Sequence, residues 1–87
     1  MNAYSRTYNI PAGTTAKQLC SSNPNRKRLY VVNNGTGTVY ILSSQNLSAS
    51  DGIPVYVNGY YLDKESTCEF WIIAESGTQD VRVMVVD

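Results

Sequence analysis

The chain has 87 residues, with seven lysine and arginine residues balanced by seven aspartate and glutamate residues, two cysteines and no histidine. The length fits one small domain, and the absence of histidine excludes a Ser-His or Cys-His catalytic pair. Zero net charge gives no electrostatic reason to expect a nucleic acid or an anionic membrane as partner, and no apolar run approaches the roughly 20 residues of a membrane-spanning helix.

The first ten residues are polar and have a loose strand-like alternation. Residues 1–10 are predicted to form either a first strand or a partner-binding arm that adds to the sheet edge of a neighbouring molecule. The alternating side chains are Tyr4, Arg6, Tyr8 and Ile10. Pro11 is expected to end this segment, so that residues 11–87 form a single β domain.

The segment also lacks the apolar core of a signal peptide, which favours synthesis and assembly in the cytoplasm. We therefore expect Cys20 and Cys68 to be reduced thiols, buried as small hydrophobic residues, rather than a disulfide. Two cysteines without histidine leave a structural zinc site short of its usual ligands, and we expect neither metal nor cofactor.

Short strands with turn signals between them occupy the middle of the chain. Residues 28–33 and 39–43 are predicted to pair as a hairpin around Asn34-Gly35, because both residues tolerate the positive φ of a type I′ turn. Shorter strands are predicted at residues 16–19, 53–56 and 60–62, with Pro54 indicating an edge position. A further turn is predicted at Asn58-Gly59.

The last twenty residues have the longest alternation in the chain and predict a second hairpin that turns at Ser76-Gly77. One face of that hairpin is apolar, and the opposite face, with Trp71 opposite Arg82, is also too apolar for open solvent. We expect a closed homo-oligomer, with a trimer as the simplest symmetry, to cover it. The alternative is that the N-terminal segment folds back over it. The predicted interface consists of Trp71, Ile73, Arg82, Met84 and Val86.

These elements together predict an all-β fold, a small antiparallel β-sandwich of jelly-roll or immunoglobulin-like type with about six to eight short strands. Valine, isoleucine, threonine and tyrosine are abundant, which is typical of β proteins. The predicted core contains Leu29, Val31, Phe70, Ile72, Val81, Val83 and Val85.

Two functional alternatives follow from the charged residues. The cluster Arg26-Lys27-Arg28, with tyrosines elsewhere, is the pattern of a small barrel that binds single-stranded nucleic acid, although the cluster is short. Asp63 and Glu65 could act as an acid–base pair, but charged turns are usually only solvated. We expect a protein that is not an enzyme.

The stretch from residue 28 to residue 87 resembles a known class of protein. It contains LYVVNNGTGTVYI, then SASDGIPV, then WIIAESGTQDVRV. This order resembles small structural proteins of tailed bacteriophage virions, of the capsid decoration or head-associated type. The resemblance implies a β-sandwich located in the virion that binds the major capsid protein or another virion protein. A tail or fibre module that binds a host receptor is an alternative within this class.

Overall fold

The computed structural model describes residues 5–87 and contains eight strands and one short 3-10 turn. The strands are β1 (Ser5–Ala12), β2 (Lys17–Cys20), β3 (Arg28–Asn33), β4 (Val39–Leu42), β5 (Ile53–Val55), β6 (Tyr60–Asp63), β7 (Phe70–Ala74) and β8 (Gln79–Val86), and the 3-10 turn is Ala49–Asp51. Within residues 5–87, no helix has the length and hydropathy needed to cross a bilayer.

The strands form two four-stranded antiparallel sheets that face each other. Sheet A has the order β1-β8-β3-β6 and sheet B has the order β2-β7-β4-β5. The two strands of each successive pair lie in different sheets: β1 and β2, β3 and β4, β5 and β6, and β7 and β8. The chain therefore crosses the core at each of these connections. This is the strand order of a jelly roll. The predicted antiparallel all-β sandwich is therefore confirmed.

Neither predicted hairpin forms, although the predicted core is correct. Strand β7 pairs with β2 and β4, whereas β8 pairs with β1 and β3. Ile72 and Val81 therefore lie in different sheets, and the same holds for the members of the predicted hairpin at residues 28–43. Period-two alternation predicts which side chains face the core. It does not predict strand pairing, because an arch that connects two sheets buries the same side chains as a hairpin within one sheet. All seven predicted core residues are buried.

Two buried polar residues close the end of the sandwich where the β3–β4 and β7–β8 arches lie. The side-chain amide of Asn33 donates to the carbonyl of Gly37 at 2.8 Å and to that of Val55 at 2.9 Å. The Gln79 carbonyl oxygen accepts from the backbone N–H of Thr36 at 2.7 Å and of Gly37 at 3.0 Å. These bonds satisfy backbone groups that an arch, unlike a hairpin, leaves without a strand partner.

The Asn34-Gly35 turn also differs from its prediction, because it belongs to an arch between two sheets and not to a hairpin. Positive φ values in residues 5–87 occur at Asn58, with φ 64°, and Gly77, with φ 62°, so residues 34 and 35 do not form a type I′ turn. Glycine is needed at position 35 because a Cβ there would lie 2.8 Å from the Cβ of Gln79. The predicted turn at Asn58-Gly59 does form, and the backbone N–H of Gly59 donates to the carbonyl of Tyr56 at 2.7 Å.

The N-terminal segment is part of the sandwich from residue 5 onward. Strand β1 pairs with β8 along its whole length, Ile10 and Ala12 are buried, and the Tyr8 hydroxyl donates to the carbonyl of Leu19 in sheet B at 2.9 Å. Residues 5–12 therefore form a strand of sheet A, and whether this segment also binds a partner stays a prediction. Pro11 lies inside β1, because an edge strand tolerates the missing N–H. Tyr4 lies outside the described residues.

Candidate functional site

The described residues contain no cluster with the composition of a catalytic or metal centre. No group of three or more histidine, cysteine, aspartate or glutamate residues within 5–87 is arranged to hold a metal ion. The carboxylate of Asp63 instead accepts the backbone N–H groups of Glu65 at 2.8 Å and Ser66 at 2.9 Å. Partial burial acts to raise the pKa of Asp63, but these hydrogen bonds outweigh it and lower that pKa. The carboxylate therefore orders a turn.

The basic cluster is divided by burial. The side chain of Arg26 is buried, and its guanidinium donates to the backbone carbonyls of Cys68 at 2.7 Å, Ser66 at 2.9 Å and Ser21 at 3.1 Å. It also lies over the ring of Phe70, 5.6 Å from the centroid. Arg26 therefore joins three backbone segments and cannot reach a nucleic acid, although its neighbours in the cluster are exposed.

The five residues predicted as one interface lie on opposite sides of the sandwich. Trp71 and Ile73 are on the outer face of sheet B, whereas Arg82, Met84 and Val86 are on the outer face of sheet A. The predicted placement of Trp71 opposite Arg82 is therefore wrong, because the two side chains lie on opposite sides of the sandwich. Arg82 pairs with Asp80 at 2.9 Å instead. Whether either half of this set contacts a partner stays a prediction.

Part of the outer face of sheet B is covered by the chain itself. Leu42 points outward beside Trp71, yet it is buried. The connection through the 3-10 turn packs against it: a Cβ on Gly52 would lie 2.8 Å from Leu42 Cδ2 and from Tyr40 Cβ. The covering segment is thus the β4–β5 connection. Residues 5–10 of the N-terminal segment do not provide the predicted cover, because they pair with β8 in sheet A.

The largest group of exposed apolar side chains lies along one lateral edge. Strands β5 and β6 are edge strands of sheets B and A, and we call them and their connection the apolar edge. Its exposed side chains are Ile53, Tyr56, Val57, Tyr60 and Leu62. The sequence prediction missed this surface. The available signal was the apolar pair at residues 56–57 placed directly before a turn, where polar residues are usual.

The opposite lateral edge has a different character, and we call it the polar edge. It consists of β1 and β2, which are the other edge strands of the two sheets. Residues 5–20 contain Arg6 and Lys17 and no acidic residue. The exposed side chains of the two strands are Ser5, Arg6, Thr7, Asn9, Pro11, Lys17 and Gln18. Arg6, Tyr8 and Ile10, which were predicted to belong to an arm, lie in this edge.

A shallow groove of about 540 Å³ crosses the outer face of sheet A. Its floor comes from the two central strands and one wall from β1. Beside it, the rings of Tyr30 and Tyr60 lie with their centroids 5.7 Å apart at an interplanar angle of 41°. The residues lining this outer groove are Thr7, Tyr8, Asn9, Tyr30, Val32, Arg82, Val83 and Met84.

The two cysteines are free thiols in different environments. Cys20 is half-buried and accepts a contact from the Arg26 guanidinium at 3.5 Å. Burial raises the pKa of Cys20, while the positive charge of Arg26 acts in the opposite direction. Cys68 is exposed, so the interpretation of both thiols as buried hydrophobic residues is wrong for Cys68. Their reduced state in the cell stays a prediction.

Comparisons with known proteins identify a shared fold. No protein-family model matches the chain, and no curated protein matches it. One solved structure, from Bacillus endospore appendages that form a family of disulfide-linked pili, is similar to it with a TM-score of 0.54 and 18% sequence identity. The similarity covers 98% of this chain and 85% of the other. At this identity, the similarity establishes that the two chains share their fold.

Proposed function

We propose that this protein is a non-enzymatic structural subunit that assembles with copies of itself into a filament. The observation that carries the proposal is the fold similarity over nearly the whole chain to a protein of disulfide-linked pili.

The two lateral edges supply a physical basis for assembly. All four edge strands present backbone groups that no other strand within residues 5–87 pairs with, and such edges are templates for another strand. When two different edges of one molecule pair head to tail, the association does not close on itself and produces a filament. The polar edge carries Arg6 and Lys17, whereas the apolar edge ends in Asp63, Lys64 and Glu65, so the edges also differ in charge.

A matched pair of substitutions tests whether assembly uses the apolar edge. Leu62 on edge strand β6 is 41% exposed, and Met84 on central strand β8 is 40% exposed. Because an edge lysine opposes strand addition, Leu62→Lys should abolish filaments seen by negative-stain electron microscopy, while Met84→Lys should preserve them. Filaments that persist in Leu62→Lys, with both variants folded by circular dichroism, would contradict the role of this edge.

A second candidate function is that of a bacteriophage virion structural protein. The resemblance of residues 28–87 to capsid decoration proteins favours it, and the jelly roll also occurs in viral capsid proteins. In this role the chain would bind the major capsid protein or another virion protein, as a closed oligomer such as a trimer, after assembly in the bacterial cytoplasm. Co-sedimentation with purified capsids would support this candidate. Filament formation by the isolated protein supports the first.

A further inference from the structure

We propose that the outer groove of sheet A binds a neutral oligosaccharide. The inference goes beyond a structural role, because it assigns a ligand to side chains on the outer face of sheet A, whereas edge-to-edge assembly uses backbone groups of the edge strands. It is carried by three features: exposed Tyr30 in the groove with Tyr60 beside it, polar side chains without a partner among the described residues, and an arginine whose charge is balanced by Asp80.

The aromatic feature is the pair formed by Tyr30 and Tyr60. The Tyr30 ring is 38% exposed and the Tyr60 ring 65% exposed, and the rings are 5.7 Å apart in a tilted arrangement. Met84 lies beside Tyr30 on the neighbouring strand and extends the apolar strip. A pyranose ring presents apolar C–H groups on one face, and an exposed tyrosine offers an apolar surface with a polar tip for the adjacent hydroxyls.

The polar feature lies on the opposite wall of the groove. Thr7 and Asn9 project from β1 on the same face, and the side chain of neither bonds to another described residue. An amide has two donors and an acceptor, and a hydroxyl is both donor and acceptor. These groups match the alternating donors and acceptors of a sugar, whereas an apolar partner would leave them without hydrogen bonds.

The charge feature decides between neutral and anionic ligands. Arg82 lines the groove, but its guanidinium contacts the Asp80 carboxylate at 2.9, 3.1 and 3.2 Å. The same carboxylate accepts from the Asn34 amide at 2.9 Å. Among the residues that line the groove, Arg82 is the one with a charged side chain. Because Asp80 balances it, the lining has no excess charge to attract a nucleic acid or a sulfated glycan, and exposed Arg28 lies on the same face outside the groove. A second copy of the chain is better matched by the apolar edge, where five large apolar side chains are exposed.

The test uses the full chain, at a concentration too low for filaments to assemble, and a panel of soluble probes. The neutral probes are maltohexaose, cellohexaose, mannohexaose and chitohexaose, and the anionic probe is a heparin hexasaccharide. We expect at least one neutral probe to shift the amide resonances of Tyr30, Val32 and Met84, without shifting those of Trp71 and Ile73 on the opposite face. Asn9→Ala and Tyr30→Ala should each weaken binding about tenfold, the effect of one lost contact of about 1.4 kcal/mol.

The matched control is Tyr56→Ala, because Tyr56 is 66% exposed but lies outside the groove. It should leave the affinity unchanged. The proposal is overturned if no neutral probe binds at millimolar concentration, if heparin binds more tightly than every neutral probe, or if the shifts map to another surface. It is also overturned if folded Asn9→Ala and Tyr30→Ala bind as well as the wild type. Because none of these measurements depends on filaments, failure here is distinguishable from failure of the assembly proposal.

Discussion

The polar and apolar edges of the sandwich solve the same problem, an unpaired edge in each sheet, in different ways. The polar edge has the eight-residue strand β1, whose inward residues Ile10 and Ala12 are buried. The apolar edge has strands of three and four residues that leave large side chains in water. The polar edge thus packs side chains into the core, while the apolar edge has apolar surface that none of the described residues covers.

This difference shows how a small domain can combine stability with a capacity to associate. The polar edge contributes three buried residues to the core, Ile10, Ala12 and Leu19, whereas the apolar edge contributes Val55. We therefore expect association to use the exposed side chains of the apolar edge without requiring them for folding. The expectation is that substitutions near the polar edge lower the free energy of unfolding, whereas substitutions at the apolar edge change assembly. Four predictions test this contrast.

The largest effect is expected at Arg26, which holds the end of β2 to the segment before β7. Arg26→Ala should lower the free energy of unfolding by about 4 kcal/mol, because it removes packing and leaves buried carbonyls without a donor. Urea denaturation measures this change. Exposed Arg28 is the control, and Arg28→Ala should change stability by no more than about 0.5 kcal/mol. Equal effects of the two substitutions would mean that the buried guanidinium has no special role.

A comparison of two aliphatic residues addresses the edges directly. Ile10 on β1 is buried, whereas Leu62 on β6 is substantially exposed. Ile10→Ala should cost about 3 kcal/mol in thermal or urea unfolding, the usual range for removal of a buried aliphatic side chain. Leu62→Ala should cost less than about 1 kcal/mol. If Leu62→Ala is the more destabilising of the two, the assignment of stability to the polar edge is wrong.

A smaller effect is expected at Tyr8, whose hydroxyl links the two sheets at the polar edge. Tyr8→Phe removes its hydrogen bond to the carbonyl of Leu19 and should cost about 1 kcal/mol at neutral pH.

The pKa of Tyr8 also predicts how the free energy of unfolding changes at alkaline pH. Burial raises the pKa of the Tyr8 phenol above its ordinary value of 10.0, and Cys20 contributes in the same direction. Above that ordinary value, the unfolded chain releases a proton that the folded chain retains. Stability should therefore fall as pH rises through this range, and the fall should be shallower in Tyr8→Phe. Parallel stability curves for the two proteins would show that Tyr8 does not contribute.

The smallest effect concerns the thiols. Iodoacetamide should modify exposed Cys68 several-fold faster than half-buried Cys20 in the folded protein, because burial and a raised pKa both lower thiolate reactivity. In urea the two rates should become similar. Peptide mass spectrometry measures both. A Cys20–Cys68 bridge in freshly prepared protein, or faster modification of Cys20, would contradict the environments described for the two residues.

The inward residues of the fold could be predicted from sequence because period-two alternation follows directly from strand geometry. Phe70, Ile72 and Val81 were placed in the core for this reason. Strand pairing could not be predicted the same way, since hairpins and arches bury the same set. Inward polar residues distinguish an arch from a hairpin. Asn33 and Gln79 occupy inward positions at strand ends, where their side chains form hydrogen bonds with backbone groups of the arch.

The candidate surfaces were harder to predict than the core. Once β7 and β8 were assigned to one sheet, Trp71 and Met84 were placed on a common face that does not exist. The outer groove combines residues from β1, β3 and β8, which come from distant parts of the chain, and no local pattern brings them together. The burial of Arg26 also has no local signal, because its partners are carbonyls of residues 21, 66 and 68.

Sedimentation velocity of the wild-type protein over a rising concentration series, with electron microscopy of the same samples, tests the central claim of self-assembly most directly. The account predicts a broad and growing series of species without an upper limit, together with filaments, because head-to-tail pairing of unlike edges does not close. A single boundary that keeps one size at every concentration, either a monomer or a closed oligomer such as a trimer, would contradict it.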